Sequence, residues 1–126
     1  MSDSTKPPSE HIIQRQAVQW IRQWTPYVCF AIPNGENRSR VTGGRLKAEG
    51  VLAGIPDLCI PALSLFIEMK TDVGPVSTVQ KEVHERLRKD GQTVEVCRSV
   101  EDVQRVVMIE MAPAVPVRQP IRKVEP

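Results

Sequence analysis

Asp57, Glu68 and Lys70 are the residues whose types and spacing could do chemistry in this chain. Asp57 follows Pro56 at the mouth of the apolar run 58–60, and Glu68 and Lys70 stand two positions apart in a second apolar run, 65–70. Side chains alternate faces along a strand, so Leu65, Ile67 and Met69 point one way and Phe66, Glu68 and Lys70 the other. Two charged groups therefore share a face in a segment otherwise built for burial, where charges persist only when paired or bound to a metal. Pro61 and Ala62 supply a turn between the runs. The hairpin they close makes Asp57 and Glu68 neighbours, although eleven positions separate them.

Pairing with Lys70 would be an adequate structural account of Glu68 alone. Asp57 adds a second carboxylate that one lysine cannot neutralise, and two converging carboxylates repel unless protonated or bridged by a cation. Mg²⁺ suits such a place, because it takes one or two protein carboxylates and completes its shell with water and substrate phosphate oxygens. The backbone carbonyl of Met69 offers a further oxygen. Lys70 would then face the attacking water and the scissile phosphate, offsetting the charge that grows in a phosphorane-like transition state.

Several elements must hold these residues. Ser9 is placed to cap a helix over residues 10–24, with Ile13, Ala17, Trp20, Ile21 and Trp24 as its core-facing stripe. Two readings stand for Glu10, at the start of that stripe: a carboxylate favoured by the helix dipole, or a group turned toward the site. Residues 27–32 read as a strand and 33–35 as a turn. Residues 34–50 form a long polar loop with four glycines, in which Arg38, Arg40, Arg45 and Lys47 outnumber Glu36 and Glu49. Such a loop suits bidentate phosphate contact or is simply a solvated segment, with a short helical turn over 45–49 ending at Gly50. Ser77 and Gln80 make a capping box for a helix over 78–89 with the stripe Val79, Val83 and Leu87. A strand over 93–97 and a helix over 100–111 follow.

At 126 residues there is room for one domain, placed at 9–112, between an arm at 1–8 and a tail at 113–126 that holds four prolines. A net charge of +2 is too small to argue for nucleic acid by itself. Cys29, Cys59 and Cys97 are far apart in apolar runs without a CxxC or Cys/His cluster, which argues against zinc and for buried free thiols in a reducing, cytoplasmic setting. No run is apolar enough for a membrane span. His11 and His84 read as surface histidines, and Trp20 and Trp24 as core or subunit-interface residues rather than base-stacking platforms. The succession of elements gives an α/β fold with a central mixed sheet flanked by helices.

Pro56-Asp57 followed by Glu68-Met69-Lys70 resembles the PD-(D/E)XK nuclease signature. The helix bearing Glu10, the Ile32-Pro33-Asn34 step, the approach from Gly50 to Gly54, and Ser77 to Gln80 make residues 9–108 similar to the VRR-NUC family within it. That resemblance implies a restriction-endonuclease-like α-β-β-β-α-β core and Mg²⁺- or Mn²⁺-dependent hydrolysis of DNA phosphodiesters. By position it implies Asp57 and Glu68 as metal ligands, Lys70 as the catalytic lysine, and Glu10 as the helix-borne acid completing the site through water. It also implies Gln80 as the helix glutamine facing the site, a role its capping-box reading matches evenly. Stand-alone members of this size, from phages and bacteria, resemble homodimeric Holliday-junction resolvases. A nuclease for flaps, nicks or single strands, or a DNA-binding module that does not cut, are the alternatives.

Overall fold

In the computed structural model, residues 9–33, 40–71 and 73–112 are described, with backbone alone for 40–43. The Ser9 hydroxyl accepts the Ile12 N–H at 3.3 Å and opens α1 (Glu10–Trp24). Ile13, Ala17 and Ile21 form its buried stripe, with Trp20 packed at the margin. Trp24, expected in that stripe, is instead 66% exposed. Thr25 then ends the helix, its hydroxyl donating to the Ile21 carbonyl at 2.8 Å.

The first strand is shorter than expected. β1 (Phe30–Ala31) pairs over two residues only, and the face carrying Val28 and Phe30 is exposed while Cys29 is buried. The helical turn expected over 45–49 is the end of a longer helix, α2 (Arg40–Ala48), that takes up part of the basic loop. The adjacent Gly43 and Gly44 lower helix propensity and pointed to a loop, yet the segment closes on a full Schellman motif. Gly50, at φ +107°, donates to Lys47, and Val51 donates back to Leu46 at 2.9 Å. The arm at 1–8, Arg38, the side chain of Arg40 and the tail at 113–126 lie outside what is described.

β2 (Leu58–Ile60) turns through a short 3₁₀ segment, Pro61–Leu63, and Ser64 in the left-handed region, into β3 (Leu65–Met69). α3 (Thr78–Lys89) crosses to β4 (Thr93–Cys97), and α4 (Val100–Met111) closes the domain. The sheet order is β1-β2-β3-β4, antiparallel across the first two pairs and parallel between β3 and β4, as the α3 crossover requires. The sheet is therefore mixed and flanked by helices, as expected.

β3 divides the molecule. Leu65, Ile67 and Met69 are fully buried in one apolar core with Ile13, Ala17 and Ile21 of α1, Leu58 and Ile60 of β2, and Val103 and Val107 of α4. Its even-numbered residues face the other way, toward α3. The three cysteines are buried and free, and among the described residues no helix is long and apolar enough to cross a membrane.

Candidate active site

Register places the carboxylates. Leu58 pairs with Ile67, so the next step along the antiparallel ladder sets Asp57 opposite Glu68, with both side chains on the sheet face away from the apolar core. The backbone of Asp57 is held on both sides: its N–H donates to Ile67 at 3.0 Å and its carbonyl accepts from Ile32 at 2.8 Å. Asp57 Oδ2 accepts the Met69 N–H at 2.7 Å. The N–H and carbonyl of one strand residue point to the same side, so the Met69 carbonyl also faces Asp57.

Glu68 is 2% exposed. Lys70 Nζ stands 4.0 Å from its Oε2, near enough to attract but beyond hydrogen-bonding reach. Burial, reinforced by the charge of Asp57 and a hydrogen bond to it, pushes the Glu68 pKa up to about 9; Lys70 pulls it down and Glu10 adds a smaller upward push. At pH 7 metal-free Glu68 therefore keeps its proton, and a cation that displaced it would face two carboxylates with only Lys70 beside them. Glu10 itself is exposed, at the first turn of α1, with its charge felt at Glu68.

α3 supplies the other wall, through residues that look polar in sequence. Its buried face is Gln80, Val83 and His84 with Leu87 at the margin, while Val79 is 49% exposed. Of the expected stripe, Val83 and Leu87 lie on this face and Val79 does not; Gln80 takes its place. Both readings of Gln80 hold at once: its Oε1 accepts the Ser77 N–H at 2.9 Å in the capping box, and its Nε2 donates to Glu68 Oε2 at 3.3 Å. His84 is not a surface residue. It is 2% exposed, and its Nε2 lies 3.1 Å from Glu68 Oε1. Burial, with the charges of Arg88 and Lys70, lowers its pKa from 6.5, so the ring is neutral at pH 7. Spacing could have found it: positions 80, 83, 84 and 87 recur as one helical face, but choosing apolar residues alone drew the stripe through Val79. His11 is exposed, as expected.

Two contacts fix the approach to the site. Gly54 sits at φ +89°, where a Cβ would lie 2.8 Å from the Val79 carbonyl oxygen, so the segment leading to Asp57 runs hard against the first turn of α3. The Arg98 guanidinium donates to the carbonyls of Thr71 at 2.7 Å and Gly74 at 2.6 Å, tying down the connection between Lys70 and α3. Arg45 and Lys47 are exposed in the last turn of α2. A groove of about 430 Å³ follows the outer side of α1, lined by His11, Gln14, Arg15, Gln19, Arg22 and Ala31 among others.

Among the described residues no three His, Cys, Asp or Glu side chains converge into a ready-made metal cage. The donor set is two carboxyl groups and a backbone carbonyl, all hard oxygens. That fits the partial protein shell Mg²⁺ or Mn²⁺ accepts, and not a zinc site.

Comparison with known proteins agrees with this geometry. The VRR-NUC domain model matches residues 10–101. A solved structure described as a VRR_NUC domain protein superposes with a TM-score of 0.67 at 25% identity, covering 82% of this chain and 88% of that one. Among curated proteins no sequence matches. With a family match across most of its length and the same fold in a solved relative, the chain belongs to the VRR-NUC family of nuclease domains.

Proposed function

We propose that this protein is a Mg²⁺- or Mn²⁺-dependent, structure-selective DNA endonuclease acting as a homodimeric Holliday-junction resolvase. The observation that carries the reading is the union of Asp57, Glu68 and Lys70 on one sheet face, with two carboxyl groups so close that Glu68 holds a proton where a cation could sit. Asp57, Glu68 and the Met69 carbonyl would hold the cation, with Glu10 reaching it through water. When bound, the cation supplies a Lewis acid for the phosphodiester and a lowered pKa for the attacking water.

The chain's own residues do the rest. Lys70, 13% exposed by its side chain, keeps its ammonium at the mouth of the site to face the scissile phosphate and offset its growing charge. Arg45 and Lys47, with Arg38 and Arg40 preceding them in sequence, supply cations for the DNA backbone. The groove along α1 begins one residue beyond Glu10 and carries Arg15, which suits a phosphate strand leaving the site.

One active site cuts one strand, so a two-fold symmetric junction calls for two sites related by a two-fold axis. The exposed Trp24, Val28 and Phe30 cluster in sequence around the open β1 edge, a type of surface a second copy could cover. The test incubates the protein with Mg²⁺ and labelled four-way junctions, flaps, nicked duplexes and single strands, with light scattering on the same sample. Lys70→Ala and Asp57→Asn are expected to abolish junction cleavage and leave junction binding largely intact. Full activity in either variant overturns the assignment, and preferred cutting of flaps or single strands replaces the resolvase reading with a different nuclease.

A further inference from the structure

Each oxygen of Glu68 meets one polar group of α3: Gln80 Nε2 donates to Oε2 at 3.3 Å, and His84 Nε2 lies 3.1 Å from Oε1. The terminal torsion of a glutamate is broad and roughly two-fold, so an unrestrained carboxylate samples many orientations. Two polar contacts from successive turns of one helix remove that freedom. Lys70, at 4.0 Å, is too distant to do so. Gln80 is already committed to the helix cap through its Oε1, whereas His84 has no role in the cap.

We infer that His84 is a positioning residue for Glu68: its ring holds Oε1 against α3 so that the carboxylate's remaining lone pairs face the cation beside Asp57. The inference rests on the metal-dependent reading above. When Glu68 binds as a carboxylate it accepts only, so the ring presents Nε2–H and the tautomer is fixed. Partners that orient a ligating group from outside the metal shell are worth about 10–100-fold in metal affinity or activity when removed.

Two amide substitutions separate this role from simple filling of a buried space. In His84→Gln the side-chain nitrogen reaches the position of Nε2, and in His84→Asn it stops near that of Nδ1, short of Oε1. Both keep a neutral polar group at the same place. Mn²⁺ binding is measured by titration calorimetry on the full chain without DNA, alongside thermal unfolding in chelator and the split of cleavage into kcat and the KM for DNA.

The expected result is Mn²⁺ binding about 10–100-fold weaker in H84N and near wild type in H84Q, with the KM for DNA unchanged in both. Equal Mn²⁺ affinity in H84N and wild type overturns the inference. So does equal weakness of H84Q and H84N, or a loss in H84N that tracks only its unfolding temperature. If the wild-type chain binds no Mn²⁺, the metal-dependent reading fails first and this inference falls with it. If wild type binds Mn²⁺ but cuts no DNA, the calorimetric comparison still decides the role of His84.

Discussion

Replacing Glu68 by Gln should make the metal-free protein more stable while removing its function. In the folded chain the Glu68 pKa rises from 4.5 to about 9, first by burial and then by Asp57. The folded state therefore keeps a proton that the unfolded chain releases. The sign follows: below pH 4.5 both states are protonated and no penalty exists, and stability is lost as pH climbs toward 9. Each unit of separation is worth about 1.4 kcal/mol, so at pH 7, some 2.5 units above the unfolded value, the penalty is about 3 kcal/mol. Gln keeps the shape and cannot ionise. Its oxygen can accept from Gln80, and its amide can donate to a neutral His84. In chelator, urea unfolding from pH 4 to 8 should show wild type and Glu68→Gln alike near pH 4, with the variant ahead by about 3 kcal/mol at pH 7. Added Mn²⁺ should close the gap by stabilising wild type alone. A variant no more stable than wild type at pH 7, or a gap that ignores pH, would refute the uncompensated carboxylate pair.

Gly54→Ala should cost about 1–3 kcal/mol by urea unfolding, since φ is +89° and the new Cβ meets the Val79 carbonyl. Trimming Val79 should not restore it, because the obstruction is backbone. Ile67→Ala, in the fully buried core, should cost about 2–5 kcal/mol in the same assay. Neutralising Arg45 and Lys47 together should weaken junction binding and lower the salt slope by about 2, and an unchanged slope would return α2 to a solvated surface helix. Ser77→Ala should cost about 1 kcal/mol from the lost cap and loosen Gln80 from Glu68, read as weaker Mn²⁺ binding.

Much of this was legible in the residues. Helix starts at Ser9 and Ser77 declare themselves because a capping hydroxyl is a local device. The pairing of Asp57 with Glu68 follows from period two and one turn, both written in 57–70. The place of His84 on the buried face of α3 was legible from spacing, but its contact with Glu68 was not, because that partner stands sixteen positions away. α2 was obscured by Gly43 and Gly44, whose cost is offset by a C-terminal motif that only backbone hydrogen bonds reveal. β1 was overestimated because Val28 and Phe30 have strand-forming side chains, while pairing to β2 covers only Phe30 and Ala31.

β3 carries the apolar core on one side and the charged pair on the other, residue by residue in alternation. A slip of one position in its pairing would turn Glu68 and Lys70 into the space between α1 and α4 and push Ile67 and Met69 out to α3. No misaligned conformer could then hold both a sound interior and a working centre. The strand acts as its own proofreader: a molecule able to cut is one whose hairpin closed in the correct frame. Misfolded copies would be inert rather than indiscriminate, which is a useful safeguard for a protein that breaks DNA.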